Sequence, residues 1–317
     1  MNQPQVALPN YIVDHIFSPE DVLKIQAKAT QNDANWAKRL FGIPQTWQQT
    51  QGEGVKIAVL DTGIDEKHPD LRDAIIDGKD FTGEGLKDTN GHGTHCAGII
   101  AARPRQTSFL GVAPKAKILA AKVLGSSGGN YDAIAQGIEW AVEQGADIIS
   151  MSLGGPKSSQ RLYQAIYTAL AKEVIIFAAA GNSGSRHRNS IGYPGKYGGV
   201  ITIAAHDEFG NPSGFSSRGG EIDFLAPGTD IFSTYPNSKY ATLDGTSMAT
   251  PFVAGLAALV EAKHHKEEEH PAGTPLKNGA DMREHLMVMA THPGWHTNDA
   301  GYGALQPFRY FDPEIIG

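Results

Sequence analysis

The feature that most constrains the fold is an alternation, from residue 55 onward, of apolar runs of strand length with helical patterns. The strand-length runs are residues 55–60, 118–123, 147–151, 174–179, 200–204 and 222–225. The helical patterns between them are residues 92–102, 131–144 and 160–172. This alternation predicts βαβ units, and strands without polar alternation predict a mostly parallel sheet that is buried on both faces. The chain is therefore predicted to form a three-layer α/β/α fold.

Residues 1 to about 50 differ from this pattern, because they are rich in Gln, Asn, Lys and Pro. We interpret residues 1–35 as an N-terminal extension and residues 36–317 as one globular domain. Within the extension, residues 19–29 follow Ser18 and predict a short capped helix.

Composition excludes several classes of partner. The net charge is −7, and we find no basic stripe of the kind that binds phosphates, so nucleic acid is not an expected partner. No apolar run approaches membrane-spanning length, and residues 1–18 lack the basic and apolar regions of a secretory signal. Cys96 is the single cysteine, which favours a reducing compartment, so we expect a cytoplasmic protein.

A glycine turn and an apolar helix surround Ser247. The segment Gly245-Thr-Ser-Met-Ala-Thr-Pro251 is followed by the apolar run 252–260. A serine at a helix N-terminus is often only a cap, but the helix N–H groups there also favour developing negative charge. A nucleophilic role requires a base, an orienting carboxylate and an oxyanion donor elsewhere in the chain.

Three further segments supply these groups. Asp61 ends the strand 55–60, and its Asp-Thr-Gly occurs once, whereas aspartic proteases need two such carboxylates. His92 and His95 could ligate a metal, but no third ligand is near in sequence, so we expect His92 to face a cleft and His95 to be packed. Asn182 follows the strand 174–179, either as a turn residue or as an oxyanion donor.

Together these segments resemble the three signatures of the subtilisin-like serine proteases. The motifs are Asp-Thr-Gly-Ile-Asp at 61–65, Gly-His-Gly-Thr-His at 91–95 and Gly-Thr-Ser-Met-Ala-Thr-Pro at 245–251, with Ala-Gly-Asn at 180–182 between the last two. The resemblance covers residues 36 to 304. It implies that Ser247 is the nucleophile, His92 the general base and Asp61 its orienting carboxylate, with Asn182 and the Ser247 N–H as oxyanion donors.

The same resemblance implies where a peptide substrate binds. Two edge segments, 124–129 and 152–156, would clamp an extended peptide by strand addition. A roomy primary pocket and a second apolar pocket would give a broad preference for apolar residues. The residues implied are Ser127, Gly128, Gly129, Ser152, Leu153, Gly154, Gly155, Ala180 and Gly192, with Tyr131 and Ile134 lining the second pocket.

Cation sites are expected to depart from the family pattern. The tight calcium site is predicted to be absent, because Arg105 stands where an asparagine ligand is expected, and Arg103 or Arg105 is expected to pair with Asp70. A weak calcium or sodium site could be formed by the carbonyls of Gly195, Tyr197 and Val200 with Asp223. Phe252 replaces a histidine common in the family and is interpreted as packing. The histidine and glutamate run 264–270 is interpreted as a solvated helix end or loop.

The extension resembles that of the intracellular subtilisins, in which a Leu-Ile-Pro-Tyr motif blocks the cleft. Here Leu8-Pro9-Asn10-Tyr11 is similar, although Asn10 separates the proline from the tyrosine. The resemblance implies an inhibitory segment, and the alternative is a disordered tail. Proline fixes φ and lacks an N–H, so it can bend an extended segment away from a nucleophile.

These observations predict a serine endopeptidase that acts on protein or peptide substrates and is restrained by its own extension. Two alternatives stay open: a processing protease of narrow specificity and a catalytically silent peptide-binding relative. The sequence also leaves open whether the chain forms a homodimer.

Overall fold

The computed structural model describes residues 6–7, 12–17, 36–107, 109–184, 189–266, 276–292 and 294–311. The strands are β1 (Ile12–Phe17), β2 (Lys56–Asp61), β3 (Ile75–Asp80), β4 (Lys117–Lys122), β5 (Ile148–Met151), β6 (Ile175–Ala179), β7 (Ile201–His206), β8 (Phe224–Pro227), β9 (Ile231–Tyr235), β10 (Lys239–Asp244), β11 (Ala290–Thr291) and β12 (Ala304–Leu305). The helices are α1 (Trp36–Leu40), α2 (Ile43–Thr46), α3 (His92–Ala101), α4 (Tyr131–Glu143), α5 (Gln160–Ala171), α6 (Thr246–Lys266), α7 (Gly279–Met289), α8 (Thr297–Ala300) and α9 (Phe308–Phe311).

The main sheet has nine strands in the order β11-β12-β8-β7-β6-β5-β2-β4-β3. All neighbouring pairs are parallel except β11 with β12. The six strands predicted from apolar runs correspond to β2, β4, β5, β6, β7 and β8, so the predicted parallel α/β fold is confirmed.

Alternate residues of each central strand enter two different cores. In β2, Ile57 and Val59 pack in the core that also contains α3 and α6, whereas Ala58 and Leu60 pack in the core of α4 and α5. Successive side chains of a strand point to opposite faces, so two cores on one sheet mean three layers. The order of layers is therefore helices, sheet and helices.

Local capping explains where the outer helices begin. The Asn130 side chain accepts a hydrogen bond from Ala133 N at the start of α4, and the Ser159 side chain accepts one from Leu162 N at the start of α5. Each bond satisfies a backbone donor that lacks a partner in the first helical turn.

A second, antiparallel sheet has the order β1-β10-β9. Its strand β1 belongs to the extension, and the helix predicted at residues 19–29 lies outside the described residues. The sequence analysis missed β1, β3, β9 and β10. In β3 the side chains of Ile76, Asp77 and Lys79 are exposed, so this strand has no apolar run to mark it.

The expectation of a solvated helix end or loop at residues 264–270 was wrong for His264, whereas His265 is exposed. The helix continues to Lys266, and His264 is buried instead of solvated. The reason is that the C-terminal part of the chain covers it, since His264 Nε2 lies 2.8 Å from the Tyr310 hydroxyl of α9. Residues 267–270 lie outside the described residues. Among the helices that are described, none combines the length and apolar character needed to cross a membrane.

Phe252 is packed in the interior, as expected. It is 2% exposed, and its ring meets that of Phe41 edge-on with centroids 6.1 Å apart. This contact joins α6 to the segment that leads into the main domain.

We expect Phe252→Ala to lower the free energy of unfolding by about 3–5 kcal/mol, because it leaves a cavity in a packed core. Denaturant unfolding in a Ser247→Ala background, which prevents self-digestion, measures this. Phe209→Ala is the matched control, since Phe209 is 80% exposed, and it should change stability little. Equal effects of the two substitutions would contradict the packing role.

Candidate active site

The predicted catalytic residues meet at one edge of the main sheet. Asp61 is the last residue of β2, Asn182 follows β6, His92 opens α3 and Ser247 is the second residue of α6. The carboxyl ends of neighbouring parallel strands meet at one edge, which brings these segments together.

A buried hydrogen bond joins His92 to Asp61. His92 Nδ1 lies 2.7 Å from Asp61 Oδ1, and the two side chains are 0% and 1% exposed. Thr62 N also donates to Asp61 Oδ1, at 2.7 Å, which fixes the carboxylate. With Nδ1–H donating to Asp61, the neutral imidazole carries its lone pair on Nε2, which is the tautomer a general base needs.

The pKa of His92 reflects two opposing effects. Burial lowers this pKa, but the negative charge of Asp61 and its hydrogen bond together raise it by more. The pKa of His92 therefore lies well above the ordinary histidine value. The imidazole at this position is therefore a stronger base than an ordinary histidine.

Ser247 is positioned through its carbonyl. Pro251 lies four residues later in α6 and has no N–H to donate to Ser247 O. That carbonyl instead accepts from Ser152 Oγ at 2.8 Å and from Cys96 Sγ at 3.4 Å. Ser247 Oγ lies 3.5 Å from Ser152 O. Because Pro251 leaves the Ser247 carbonyl without a helix donor, this carbonyl is bound by Ser152, which follows β5, and by Cys96 of α3.

The Cys96 thiol also lies between His92 and Ser247. Its sulfur lies 3.8 Å from His92 Nδ1 as well as 3.4 Å from Ser247 O. The ligand atoms of Asp61, His92 and Cys96 all lie within 4.8 Å of one another, so they could hold a metal ion. However, the His92 and Asp61 atoms concerned already make the hydrogen bond of the base, which favours proton transfer over metal binding.

The Asn182 side chain is oriented by Thr246. Asn182 Oδ1 accepts from Thr246 N at 3.0 Å and from Thr246 Oγ1 at 2.9 Å. Because its oxygen is held as an acceptor, the amide presents Nδ2 as a donor, next to Gly245. The sequence analysis missed Thr246, although a hydroxyl directly before Ser247 at a helix start was a visible signal.

A second buried carboxylate, that of Asp88, holds the segments that carry Asp61 and His92. The sequence analysis missed this residue. Asp88 is 1% exposed and accepts from Thr62 Oγ1 at 3.0 Å, Gly91 N at 2.8 Å and Thr94 Oγ1 at 2.6 Å. Burial raises the pKa of Asp88, and the hydrogen bonds from Gly91, Thr94 and Asn90 lower it less. Asp88 therefore connects the residue after Asp61 to both sides of His92.

A cleft of about 520 Å³ lies beside Ser247. The predicted residues Ser152, Leu153, Gly154, Gly155, Ala180 and Gly192 line it. One wall is closed by backbone hydrogen bonds between Gly155 and Tyr193, at 2.9 and 2.8 Å. Small side chains leave room in this cleft for a large group.

The apolar cluster that includes Tyr131 and Ile134, the residues of the predicted second pocket, also includes a residue of the extension. Val6 is 0% exposed and belongs to the same apolar cluster as Tyr131 and Ile134. Its backbone exchanges hydrogen bonds with Gly129 at 3.0 and 2.8 Å, as an added strand does. In the edge segment that contains Gly129, Gly125 and Gly128 exchange backbone hydrogen bonds and form a turn that includes Ser127. Leu8, Pro9, Asn10 and Tyr11 lie outside the described residues.

The predicted pairing of Arg103 or Arg105 with Asp70 was wrong. Both arginines contact Asp73, with Arg105 Nε 2.8 Å from its Oδ2. Asp70 is buried and instead accepts four hydrogen bonds from other donors. They are Arg105 N at 2.9 Å, Gln106 N at 2.7 Å, Thr107 Oγ1 at 3.0 Å and Tyr240 OH at 2.6 Å.

An arginine lies at the predicted weak cation site. Arg283 Nε donates to Asp223 Oδ1 at 2.7 Å, and its Nη2 donates to Val200 O at 3.1 Å. Gly195 O accepts from Thr202 Oγ1, and Tyr197 O accepts from Val200 N. A guanidinium already neutralises this oxygen cluster, so the residues fit a metal ion poorly.

Comparisons with known proteins agree with this geometry. A model described as Subtilase family matches residues 52–304. The Intracellular serine protease of Paenibacillus polymyxa is 46% identical over 256 residues, 78% of this chain and 78% of that protein. Thermitase of Thermoactinomyces vulgaris is 46% identical over 261 residues, 80% of this chain and 92% of that protein. Subtilisin Savinase of Lederbergia lenta is 47% identical over 257 residues, 80% of this chain and 89% of that protein.

We expect Asp61→Asn to lower kcat about 10⁴-fold, because the amide stabilises neither the required tautomer nor the imidazolium. In the unaltered chain, kcat/KM should rise with pH through a pKa above about 6.5, since only neutral His92 accepts a proton and Asp61 raises its pKa. In Asp61→Asn this rise should move to lower pH. A pH profile with a small ester substrate measures both, and the exposed Asp77→Asn is the control. An unchanged pH profile in Asp61→Asn would contradict the assignment.

Proposed function

This chain belongs to the subtilase family and is a subtilisin-type serine endopeptidase, and we propose that Asp61, His92 and Ser247 carry out its reaction. The observation that supports this most directly is the buried 2.7 Å hydrogen bond from His92 to Asp61 beside Ser247. This hydrogen bond leaves the lone pair of His92 on Nε2, where it can accept the hydroxyl proton of Ser247.

In the proposed first half-reaction, Ser247 Oγ attacks the carbonyl carbon of the scissile peptide bond while His92 Nε2 takes the hydroxyl proton. The resulting imidazolium is stabilised by Asp61. When the tetrahedral intermediate collapses, the C–N bond breaks and His92 gives the proton to the leaving amine. The acyl group then remains on Ser247 as an ester.

In the second half-reaction, a water molecule attacks the ester carbonyl and gives a proton to His92, which returns it to Ser247 Oγ as the carboxylic acid leaves. In both halves the negative oxygen is stabilised by Asn182 Nδ2 and Ser247 N, at the start of α6. The two hydrogen bonds from Thr246 to Asn182 Oδ1 support this role, because they hold the amide in the donating orientation. Removing such a donor typically costs about 3 kcal/mol of barrier.

We further propose a broad preference for apolar residues in the substrate. The cleft beside Ser247 is lined by Gly154, Ala180 and Gly192, whose small size leaves space for a large side chain. Val6 is buried in the same apolar cluster as Tyr131 and Ile134, which supports an aliphatic preference at a second position.

The extension is proposed to restrain the enzyme by occupying the substrate's place. Val6 pairs with Gly129 and is buried in the apolar cluster of Tyr131 and Ile134, Ala7 lines the cleft, and Ile12–Phe17 pair with β10, which leads into Ser247. A substrate that binds by strand addition would need the same edges. The described parts of the extension therefore support competition between the extension and the substrate.

The proposed enzyme needs no tight calcium ion. The four donors on Asp70 satisfy the carboxylate that would otherwise be a ligand, and Arg283 supplies positive charge at the weak site. We also propose a bacterial cytoplasmic location, supported by the single cysteine and by similarity to a protein named Intracellular serine protease.

We expect the unaltered chain to lose a piece of its first 35 residues over time while activity rises, and Ser247→Ala to keep its full mass. Intact-mass spectrometry and a peptidase assay on the same samples measure this. Val6→Asp should shorten the lag before activity rises at least tenfold, because a charge in an apolar environment is strongly disfavoured. Val6→Ile should leave this lag unchanged. A constant mass with an unchanged lag in Val6→Asp would contradict the restraint.

Chelator treatment should leave the unfolding midpoint unchanged, because protein donors and not a tightly bound calcium ion satisfy Asp70. Asp70→Asn should lower the free energy of unfolding by about 2–4 kcal/mol, since its amide NH₂ would face donors. Both are measured in the Ser247→Ala background, with the exposed Asp77→Asn as control. Tight calcium binding by calorimetry that disappears in Asp70→Ala would overturn this proposal.

A further inference from the structure

We infer that Glu84 is a positioning residue for substrate binding, because its carboxylate holds the edge segment 124–129 in the shape that an extended peptide needs. The inference rests on the proposed function, since it concerns the part of the substrate that lies along this edge. Glu84 lies in the connection between β3 and α3, outside the three motifs that carry the family resemblance.

The Glu84 carboxylate binds one residue of the edge segment through both of its oxygens. Ser126 N lies 2.8 Å from Oε2 and 3.1 Å from Oε1, and Ser126 Oγ donates to Oε1 at 3.0 Å. The carboxylate also lies directly against Gly125, where a Cβ would come within 2.5 Å of Oε1. A side chain at residue 125 would therefore displace the carboxylate, so this close approach depends on glycine.

The residue that Glu84 binds lies at the tip of a turn. Gly125 N donates to Gly128 O at 2.9 Å, and Gly128 N donates to Gly125 O at 3.1 Å. Gly128 has a φ of +98°, which favours glycine. Ser126 and Ser127, between the two glycines, are exposed. The carboxylate therefore braces the exposed side of this turn from outside the segment.

The residue that follows the turn pairs with an extended chain. Gly129 exchanges two backbone hydrogen bonds with Val6, and the next residue of that chain, Ala7, lines the cleft together with Ser247. A substrate that runs in the same direction places the residues of its acyl side along this edge. A shift of the turn should therefore weaken binding of the acyl side.

The other end of the edge segment is fixed independently of Glu84. Leu124 N donates to Asp61 O at 3.1 Å, and Val123 N donates to the same oxygen at 2.9 Å. Loss of the Glu84 carboxylate should therefore leave the proposed triad in place. This separates an effect on substrate binding from an effect on the reacting groups.

Glu84 is itself held by a tight turn that begins at the end of β3. Asp80 Oδ1 accepts from Thr82 N at 2.9 Å, and Asp80 Oδ2 accepts from Gly85 N at 2.8 Å. Glu84 N donates to Thr82 Oγ1 at 3.2 Å. An acceptor that is already in place does not have to be ordered when a substrate binds, which favours affinity.

The test compares two substrates of the full chain, once its activity has become constant. An ester of N-acetyl-tyrosine has an acyl side of one residue, whereas a chromogenic tetrapeptide extends along the edge segment. We expect Glu84→Ala to raise KM for the tetrapeptide about fivefold with kcat within about twofold, since one hydrogen bond typically contributes this much. The kcat/KM for the ester should change less than about twofold. Glu84→Gln keeps an acceptor oxygen and should restore most of the tetrapeptide binding.

Gly125→Ala is an independent variant, because its Cβ would displace the Glu84 carboxylate without removing it. It should raise KM for the tetrapeptide as Glu84→Ala does, and the double variant should show no further increase. Asp77→Asn removes an exposed charge from β3 and is the control, which should leave both substrates unaffected.

Hydrolysis of the ester by the unaltered chain reports on the proposed function separately. An unchanged KM for the tetrapeptide in Glu84→Ala would overturn the inference. An equal loss on both substrates would overturn it as well, because it would show that Glu84 acts on the fold or on the reacting groups.

Discussion

A parallel sheet that is covered by helices on both faces meets solvent mainly at its strand ends, and the architecture of this enzyme follows from that constraint. The central strands carry unbroken apolar residues into two cores, so polar chemistry is confined to the segments that follow them. Asp61 and Asn182 are the polar residues at the ends of β2 and β6. The strand β5 lies between β2 and β6, so the sheet order brings the two residues to the same edge.

Ser247, the proposed nucleophile, is placed by a helix that departs from ideal geometry at one residue. Pro251 removes one hydrogen bond from α6 and leaves Ser247 O to accept from Ser152 and Cys96. The interruption would be a defect in an isolated helix, yet here it connects the serine to the neighbouring segments. Asp88 has a comparable role for the base, because its hydrogen bonds to Thr62 and Gly91 join the aspartate turn to the start of α3.

Features with local signals could be predicted from the sequence, and features that depend on distant pairings could not. The six central strands follow from apolar runs, and the proposed catalytic residues were identified by their motifs and by the resemblance that these motifs carry. Arg283 contacts Asp223 across 60 residues, and no local pattern marks either as a partner of the other. An arginine side chain was predicted to pair with Asp70 because of its charge. The structure instead has backbone N–H groups of the same loop donating to the Asp70 carboxylate. The strand β1 pairs with β10 across most of the chain, which its composition does not indicate.

The connection of β1 to the domain on which it lies has a kinetic consequence. A tethered segment has an effective concentration that is commonly in the millimolar range, whereas a free peptide competes at its actual concentration. An intact chain should therefore ignore scarce peptides and respond when unfolded protein accumulates. Once the extension is cut from the domain, it competes with substrate only at its actual concentration. One cleavage would therefore change an enzyme that responds above a threshold of substrate into one whose rate follows the substrate concentration.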